Sequence, residues 1–365
     1  MLREDVIFQF SDFINSETEE KQEFIFKLVQ LETDTSRSKM HCKEEASPSS
    51  YSPNSLQQNL NNYFPTSIKL SSYVEALRPW SFSASLMPVL LGCAIAHKTT
   101  GEFSPIVLVL TSLCALSVHA AGNLVNTYFD FIKGIDNKQK SDDRTLVDQL
   151  LSKDEVATLG AVLYGLGCIG FIALVFLSPA RMEHLALVYF GGLSSSFLYT
   201  GGIGFKYIAL GDVMILIIFG PITLLFSYLA QSGQTEWATI WYAIPLALNT
   251  EAILHSNNTR DMNTDRKAGI VTLAILIGTP ASIVLFACLL FLPYMVFVVL
   301  ALHYSKWLLL PLITLPSAFR LEKEFRSEDM RHIPKKTAKL NFFFALLYVL
   351  AIGLCPSTEL PLFSH

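Results

Sequence analysis

Charge is what this sequence has least of. Only 16% of its 365 residues are Asp, Glu, Lys or Arg, against 51% hydrophobic residues. The mean hydropathy of +0.41 is too high for a water-soluble globule of this length. Cysteine chemistry is equally thin. Cys42, Cys93, Cys114, Cys168, Cys288 and Cys355 form no Cys-x-x-Cys pair and mostly lie inside apolar runs, which excludes a secreted disulfide scaffold and reads as small buried hydrophobes. A signal peptide is also lacking: Met1–Phe10 is charged, with neither an apolar core nor a cleavage site. The first apolar segment is then expected to direct insertion. The net charge of -4 points to no partner by itself, and no nucleic-acid partner is expected.

What the chain does have is a succession of long apolar runs across residues 82–355, among them Pro105–Ala121, Val213–Leu229 and Phe342–Leu354. These predict an all-α, polytopic transmembrane bundle. Nine spans are expected, at 82–97, 104–126, 157–177, 184–200, 208–230, 237–255, 280–301, 307–320 and 340–355, with the stretch 269–320 cut at the polar residues His303–Lys306. The first 70 residues instead carry eleven Asp/Glu against seven Lys/Arg and Ser-, Asn- and Pro-containing stretches. We therefore expect a polar, mostly disordered tail over 1–72, a membrane domain over 73–356 and a short tail over 357–365. Sixteen basic residues fall on the even-numbered connections between spans and three, Lys98, Arg181 and Lys306, on the odd-numbered ones. That asymmetry places the N-terminus in the cytoplasm.

Two connections on the basic side are rich in carboxylates and carboxamides. They are Asn123–Asp136 and Asn257–Arg266. If spans two and six continue as helices past the bilayer, Asn126 and Asp130 fall four apart on one stripe, as do Asn257, Asp261 and Asp265. Carboxylates stacked in this way repel one another unless something cationic sits on them. Mg2+ suits the pattern, because it takes oxygen ligands, keeps several waters and is held by one or two carboxylates together with substrate phosphates. Two facing sets would suit two ions bridging a diphosphate, and Lys133, Lys140, Arg144, Lys206 and Arg260 supply positive charge for the remaining phosphate oxygens.

These residues resemble the UbiA superfamily of intramembrane prenyltransferases, marked by two aspartate-rich motifs in cytoplasm-facing loops after the second and sixth of nine helices. The segments Leu77–Leu86, Gly122–Gly134, Ser141–Val147, Tyr199–Lys206 and Glu251–Asp261 are similar to the animal type of that family. The resemblance covers residues 73–355. It implies that Asn126, Asp130 and Asp136 form the first metal-binding motif and Asn257, Asp261 and Asp265 the second, with Asn126, Asp130, Asp261 and Asp265 catalytic. The first motif departs from the bacterial pattern, since Thr127 follows Asn126 and Gly134 stands where the last Asp would be, leaving Asp136 to replace it. The resemblance further implies Mg2+-dependent transfer of a geranylgeranyl group from its diphosphate to a naphthoquinol (menadiol), giving menaquinone-4, a form of vitamin K. The expected location is the endoplasmic reticulum and Golgi, with a mitochondrial membrane as the alternative.

Several further residues carry two readings. Arg78, before the first span, either clamps diphosphate or anchors to lipid headgroups. Glu251 and His255, four apart in span six, read as a supporting polar pair. Tyr199 and Lys206 flank Gly201–Gly204, which reads as a flexible cover on the site, and His119 reads as a packed helix residue. The competing functions are prenylation of 4-hydroxybenzoate for ubiquinone, cation-coupled transport, and an interaction protein with a vestigial site. Transporters place their carboxylates near the bilayer midplane, whereas here they stand at the ends of spans.

Overall fold

The computed structural model describes residues 66–136, 144–327 and 330–363. The expectations for the tail up to residue 65 and for Lys140 lie outside the described residues. Helix α1, Thr66–Ala76, is followed by a 3-10 turn at Pro79–Ser81 and then by α2 (Ser83–Thr100), α3 (Pro105–Ile132), α4 (Lys153–Leu177) and α5 (Met182–Thr200). Next come α6 (Gly211–Ser232), α7 (Ala238–Lys267) and α8 (Leu273–His303). A 3-10 stretch, Lys306–Thr314, runs into α9 (Leu315–Phe325), and α10 spans Ile333–Leu354. Among the described residues there is no strand, only an isolated parallel bridge between Ile208 and Val271.

Each predicted span falls on a helix, save 307–320, which is divided between the 3-10 stretch and α9, and the protein is a polytopic helical membrane bundle. Length and apolarity sufficient for crossing a bilayer are met by α3, α4, α6, α8 and α10, and by a sixth span if the bent pair Leu70–Ser81 and α2 is counted as one. The expected nine therefore exceed what helix composition alone carries. The shortfall has a physical cause in α7, whose buried face holds Asn249, Thr250, Glu251, His255, Ser256 and Asn258.

Local chemistry sets the helix ends. Ser104 caps α3 by accepting from the Val107 amide, with Pro105 in the first turn. Ser152 and Glu155 form a capping box on α4. Helix α8 is divided at the non-helical Gly278 (φ 76°): a short segment from Leu273 precedes it, and the long apolar helix follows from near 280, as expected, with Pro280 in its first turn. Helix α6 contains a π turn at Ile218–Ile222 around Pro221. The half of the bundle formed by α8, α9 and α10 is joined by edge-on aromatic pairs: Phe297 with Tyr348 at 4.6 Å and with Phe344 at 5.6 Å, and Tyr294 with Phe344 at 5.3 Å. Phe176, Leu187 and Leu302 are among the large apolar side chains left on the outside, where lipid would cover them.

Candidate active site

Both motif helices run on past their apolar stretches. Helix α3 reaches Ile132 and α7 reaches Lys267, so Asn126 and Asp130 stand one turn apart, as do Asn257, Asp261 and Asp265. The first helix stops abruptly after Asp130. The Ile135 amide donates to the Asp130 carbonyl at 2.9 Å and the Gly134 amide to Phe131 at 3.1 Å, with Gly134 at φ 71°. This is a Schellman ending, and it needs a left-handed residue where the bacterial pattern has Asp. The turn carries the chain back so that Asp136 acts on Tyr207, which itself bonds to Asp130. Gly134→Ala is expected to destabilise the protein by about 1 kcal/mol through backbone strain. A lowered midpoint in thermal unfolding of the solubilised protein would register it.

Asp130 is buried and fully engaged. Lys206 Nζ donates to its Oδ2 at 2.6 Å and the Tyr207 hydroxyl to its Oδ1 at 2.9 Å. Lys206 also donates to Asn126 Oδ1 at 3.0 Å, an oxygen that receives the Thr200 hydroxyl at 3.1 Å. Lys133 sits over the Tyr207 ring, 3.6 Å from its centre. Burial and the Asp130 charge hold the Tyr207 phenol well above its ordinary value. In the second motif Arg260 forks onto Asp261 at 2.8 and 2.6 Å and reaches Asn257 Oδ1 at 2.8 Å.

The two motifs share one electrostatic field. The Asp265 carboxyl is pushed up to about 7, first by burial and then by the Asp261 charge, with Asp130 adding to the shift and Lys206 and Arg260 opposing it. Backbone bonds tie the loop after α5, which carries Lys206, to the segment after the second motif: Ala209 donates to the Val271 carbonyl at 2.7 Å and Val271 to Tyr207 at 3.1 Å. The glycine-rich segment, expected as a flexible cover, is thus docked at its far end by a bridge and by Lys206.

Arg78 adopts φ 52°, ψ 57°, strained for a side-chain-bearing residue. Ser81 Oγ donates to its carbonyl at 2.8 Å and Asn123 Nδ2 to the Leu77 carbonyl at 2.9 Å. The guanidinium then lies against Thr127 Oγ1 at 3.4 Å, inside the first motif. His119 is held on both ring nitrogens by Ser81 and Ser85, at 3.2 and 2.9 Å, as its packed reading expected. Arg144 forks onto Asp148 at 2.7 and 2.8 Å in the loop before α4. Tyr199, Glu251 and His255 lie toward the bundle interior with Asp212. Sequence reasoning missed Thr200 and Tyr207, 74 and 77 positions from their partners Asn126 and Asp130, and Asp212, whose partners lie on another helix, because no spacing rule links residues so far apart.

Among the described residues no three His, Cys, Asp or Glu side chains are gathered into a closed metal cluster. The site is instead a set of carboxylate and amide oxygens already met by amines and guanidinium groups, at one set of ends of an apolar bundle. That arrangement defines an intramembrane enzyme that handles a charged head group on an apolar chain. The chain belongs to the UbiA prenyltransferase family, matching it over residues 85–347. It is 64% identical to the UbiA prenyltransferase domain-containing protein 1 homolog of Drosophila melanogaster over 301 residues, 82% of this chain and 83% of that protein. It is 59% identical to UbiA prenyltransferase domain-containing protein 1 of Homo sapiens over 293 residues, 80% and 86% of the two chains. Its fold is similar to that of a UbiA homolog from Aeropyrum pernix (TM-score 0.60, 13% identity, 75% of this chain and 98% of that one). It is also similar to a UbiA homolog from Archaeoglobus fulgidus bound to GPP and Mg2+ (TM-score 0.56, 16% identity, 77% and 99%).

Proposed function

We propose that this intramembrane prenyltransferase moves a geranylgeranyl group from its diphosphate to a naphthoquinol, giving menaquinone-4, with Mg2+ as cofactor and the two motifs facing the cytoplasm. The observation that carries the reading is the meeting of Asp130, Asp261 and Asp265 with Lys206 and Arg260 at the mouth of an apolar bundle. The similarity to the animal relatives supports the acceptor, and the archaeal homolog bound to GPP and Mg2+ supports the donor class and the ion.

The donor set fits Mg2+. It consists of hard oxygens, and the Asp265 carboxyl, raised first by burial and then by the Asp261 and Asp130 charges, is a group that a divalent cation would hold ionised. Asn126, Asp130, Asp261 and Asp265 would hold the ion, with Asp136 and Asn257 at the edges of the two sets. When bound, Mg2+ supplies positive charge to the departing diphosphate. The rest falls to the protein. Lys206, Lys133, Arg260 and Arg78 offer hydrogen bonds to phosphate oxygens, and Arg144 adds charge from the loop before α4. The apolar helices house the isoprenoid and keep water from the allylic cation, which would otherwise be hydrolysed.

Purified protein supplied with geranylgeranyl diphosphate, Mg2+ and a panel of reduced acceptors tests the reading by the mass of the lipid product. Prenylated menadiol is expected, whereas prenylation of 4-hydroxybenzoate alone would reassign the acceptor. The Asp265 carboxyl adds a pH signature. Below about pH 7 it binds a proton that Mg2+ must displace, so metal affinity is expected to fall toward tenfold per pH unit, and above that value to level off. Calorimetric titration of Mg2+ across that interval, with a non-reactive prenyl diphosphate analogue present, checks it, and a flat profile would remove Asp265 from the metal set.

A further inference from the structure

A second polar cluster lies deeper in the bundle, and neither motif accounts for it. Asp212 opens α6 and Glu251 sits on α7, both 3% exposed, beside a fully buried His255. Asp212 acts on Glu251 both through its charge and through a side-chain hydrogen bond, in which one carboxyl donates a proton to the other. Apart from that shared proton, both Glu251 oxygens, Asp212 Oδ1 and His255 Nδ1 meet no donor or acceptor among the described residues. Buried polar atoms are seldom left bare, so the lone pairs that the shared proton does not meet call for a partner.

The missing partner is a donor. His255 Nε2 lies 3.0 Å from the Ser282 carbonyl, which can only accept, so Nε2 carries a proton and Nδ1 is the nitrogen left to face the carboxyls. That nitrogen is 3.9 Å from Asp212 Oδ1, so it points into the cluster. The cluster presents two carboxyls and an imidazole nitrogen, and among the described residues no lysine or arginine enters it through an ion pair. It suits a hydroxyl and disfavours a carboxylate.

Its position fits the acceptor. Glu251 precedes Asn257 by six residues, roughly 9 Å along α7 at the rise of an α-helix. Asp212 follows the loop whose Lys206 holds Asp130. Tyr199 spans the interval: a Cβ placed on Gly211 would lie 3.5 Å from its hydroxyl, and the charges acting on it are Glu251, Asp212, Asp130 and Arg78. The acceptor ring would thus lie between the diphosphate and the carboxyl pair.

We propose that the Asp212–Glu251 carboxyl pair receives a hydroxyl of the aromatic acceptor and holds its proton while the ring is alkylated, an assignment that rests on the prenyl-transfer reading above. The donor's C–O bond breaks, and diphosphate leaves with the electron pair. The hydroxyl proton passes to the pair, and the electrons freed from the O–H bond make the ring carbon nucleophilic. That carbon bonds to the allylic carbon, giving a ring ketone. Loss of the ring-carbon proton to diphosphate restores the aromatic ring as a phenolate, which takes its proton back from the pair. Naphthoquinols, which carry hydroxyls and no carboxylate, match the cluster better than hydroxybenzoates.

The test uses Glu251→Gln and Asp212→Asn in the full-length protein. Both are expected to raise KM for the quinol or lower kcat by tenfold or more, with prenyl diphosphate binding unchanged. Quinols with more acidic hydroxyls should restore the variants more than they accelerate the native enzyme, which a merely structural role would not produce. Should a variant fail to fold, binding to the native protein decides. The mono-O-methyl ether is expected to bind tenfold more weakly than the quinol, and equal binding would overturn the assignment. Folded variants with unaltered acceptor kinetics and unaltered dependence on hydroxyl acidity would also overturn it, while leaving the prenyl-transfer reading intact. Failure of that reading shows separately, as native protein that prenylates no acceptor.

Discussion

Asp130→Ala and Asp261→Ala are each expected to lower prenyl transfer by about 10²–10³-fold or more, equivalent to about 3–4 kcal/mol of barrier. The physical reason is that the diphosphate must depart with its electron pair from an apolar surrounding, where every missing stabilising contact is felt strongly. Asp130 organises more than itself. Its two oxygens hold Lys206 and Tyr207, and through Lys206 they set Asn126 and the loop after α5. Asp261 organises Arg260 and, through it, Asn257. Asp130→Asn and Asp261→Asn keep the shape while removing the charge, and separate electrostatics from folding. Product formation by protein of native elution profile is the measurement. Full retained activity in both alanine variants would end the reading of these motifs as the diphosphate site.

Lys206→Met is expected to combine two losses. The Lys206–Asp130 pair is short and nearly desolvated, with 17% and 6% of the two side chains exposed. Removing one partner leaves an uncompensated carboxylate and costs about 3 kcal/mol of stability. It also deletes a donor for the phosphate oxygens, so KM for the prenyl diphosphate should rise at least tenfold. Lys206→Arg is expected to recover part of the stability but less of the activity, because a planar fork does not reproduce an ammonium shared by Asp130 and Asn126. Thermal unfolding with and without Mg2+ distinguishes the terms: a divalent cation bound at Asp130 should return stability to the methionine variant. An unchanged unfolding midpoint in that variant would show the pair to be energetically idle.

Much of this was readable along the chain because it is periodic. The i, i+4 stripes of Asn126–Asp130 and Asn257–Asp261–Asp265 depend only on helical repeat, and both helices do extend through them. The break between α8 and the following 3-10 stretch falls at His303–Lys306, where polar residues interrupt an apolar run. The span start near 280 was readable because Gly278 and Pro280 mark a helix boundary, and the backbone is non-helical at Gly278, with a short helical segment from Leu273 before it. The glycine-rich loop reads as a cover in sequence, yet a main-chain bridge to Val271 docks it, and backbone pairing leaves no compositional trace. Asp212 escaped notice for a similar reason, being one acidic residue at an ordinary helix start.

The sequence by itself determined the medium, the helical class and the two oxygen-rich helix ends, since hydropathy and a 3.6-residue period are properties of neighbouring residues. Only the tertiary structure decided which charges meet. Lys206 with Asp130, Tyr207 with the same carboxylate, and Asp212 with Glu251 and His255 are pairs brought together by helices that turn back on one another. Their energies depend on distance and burial in a low dielectric, and neither quantity is encoded in the order of residues along the chain.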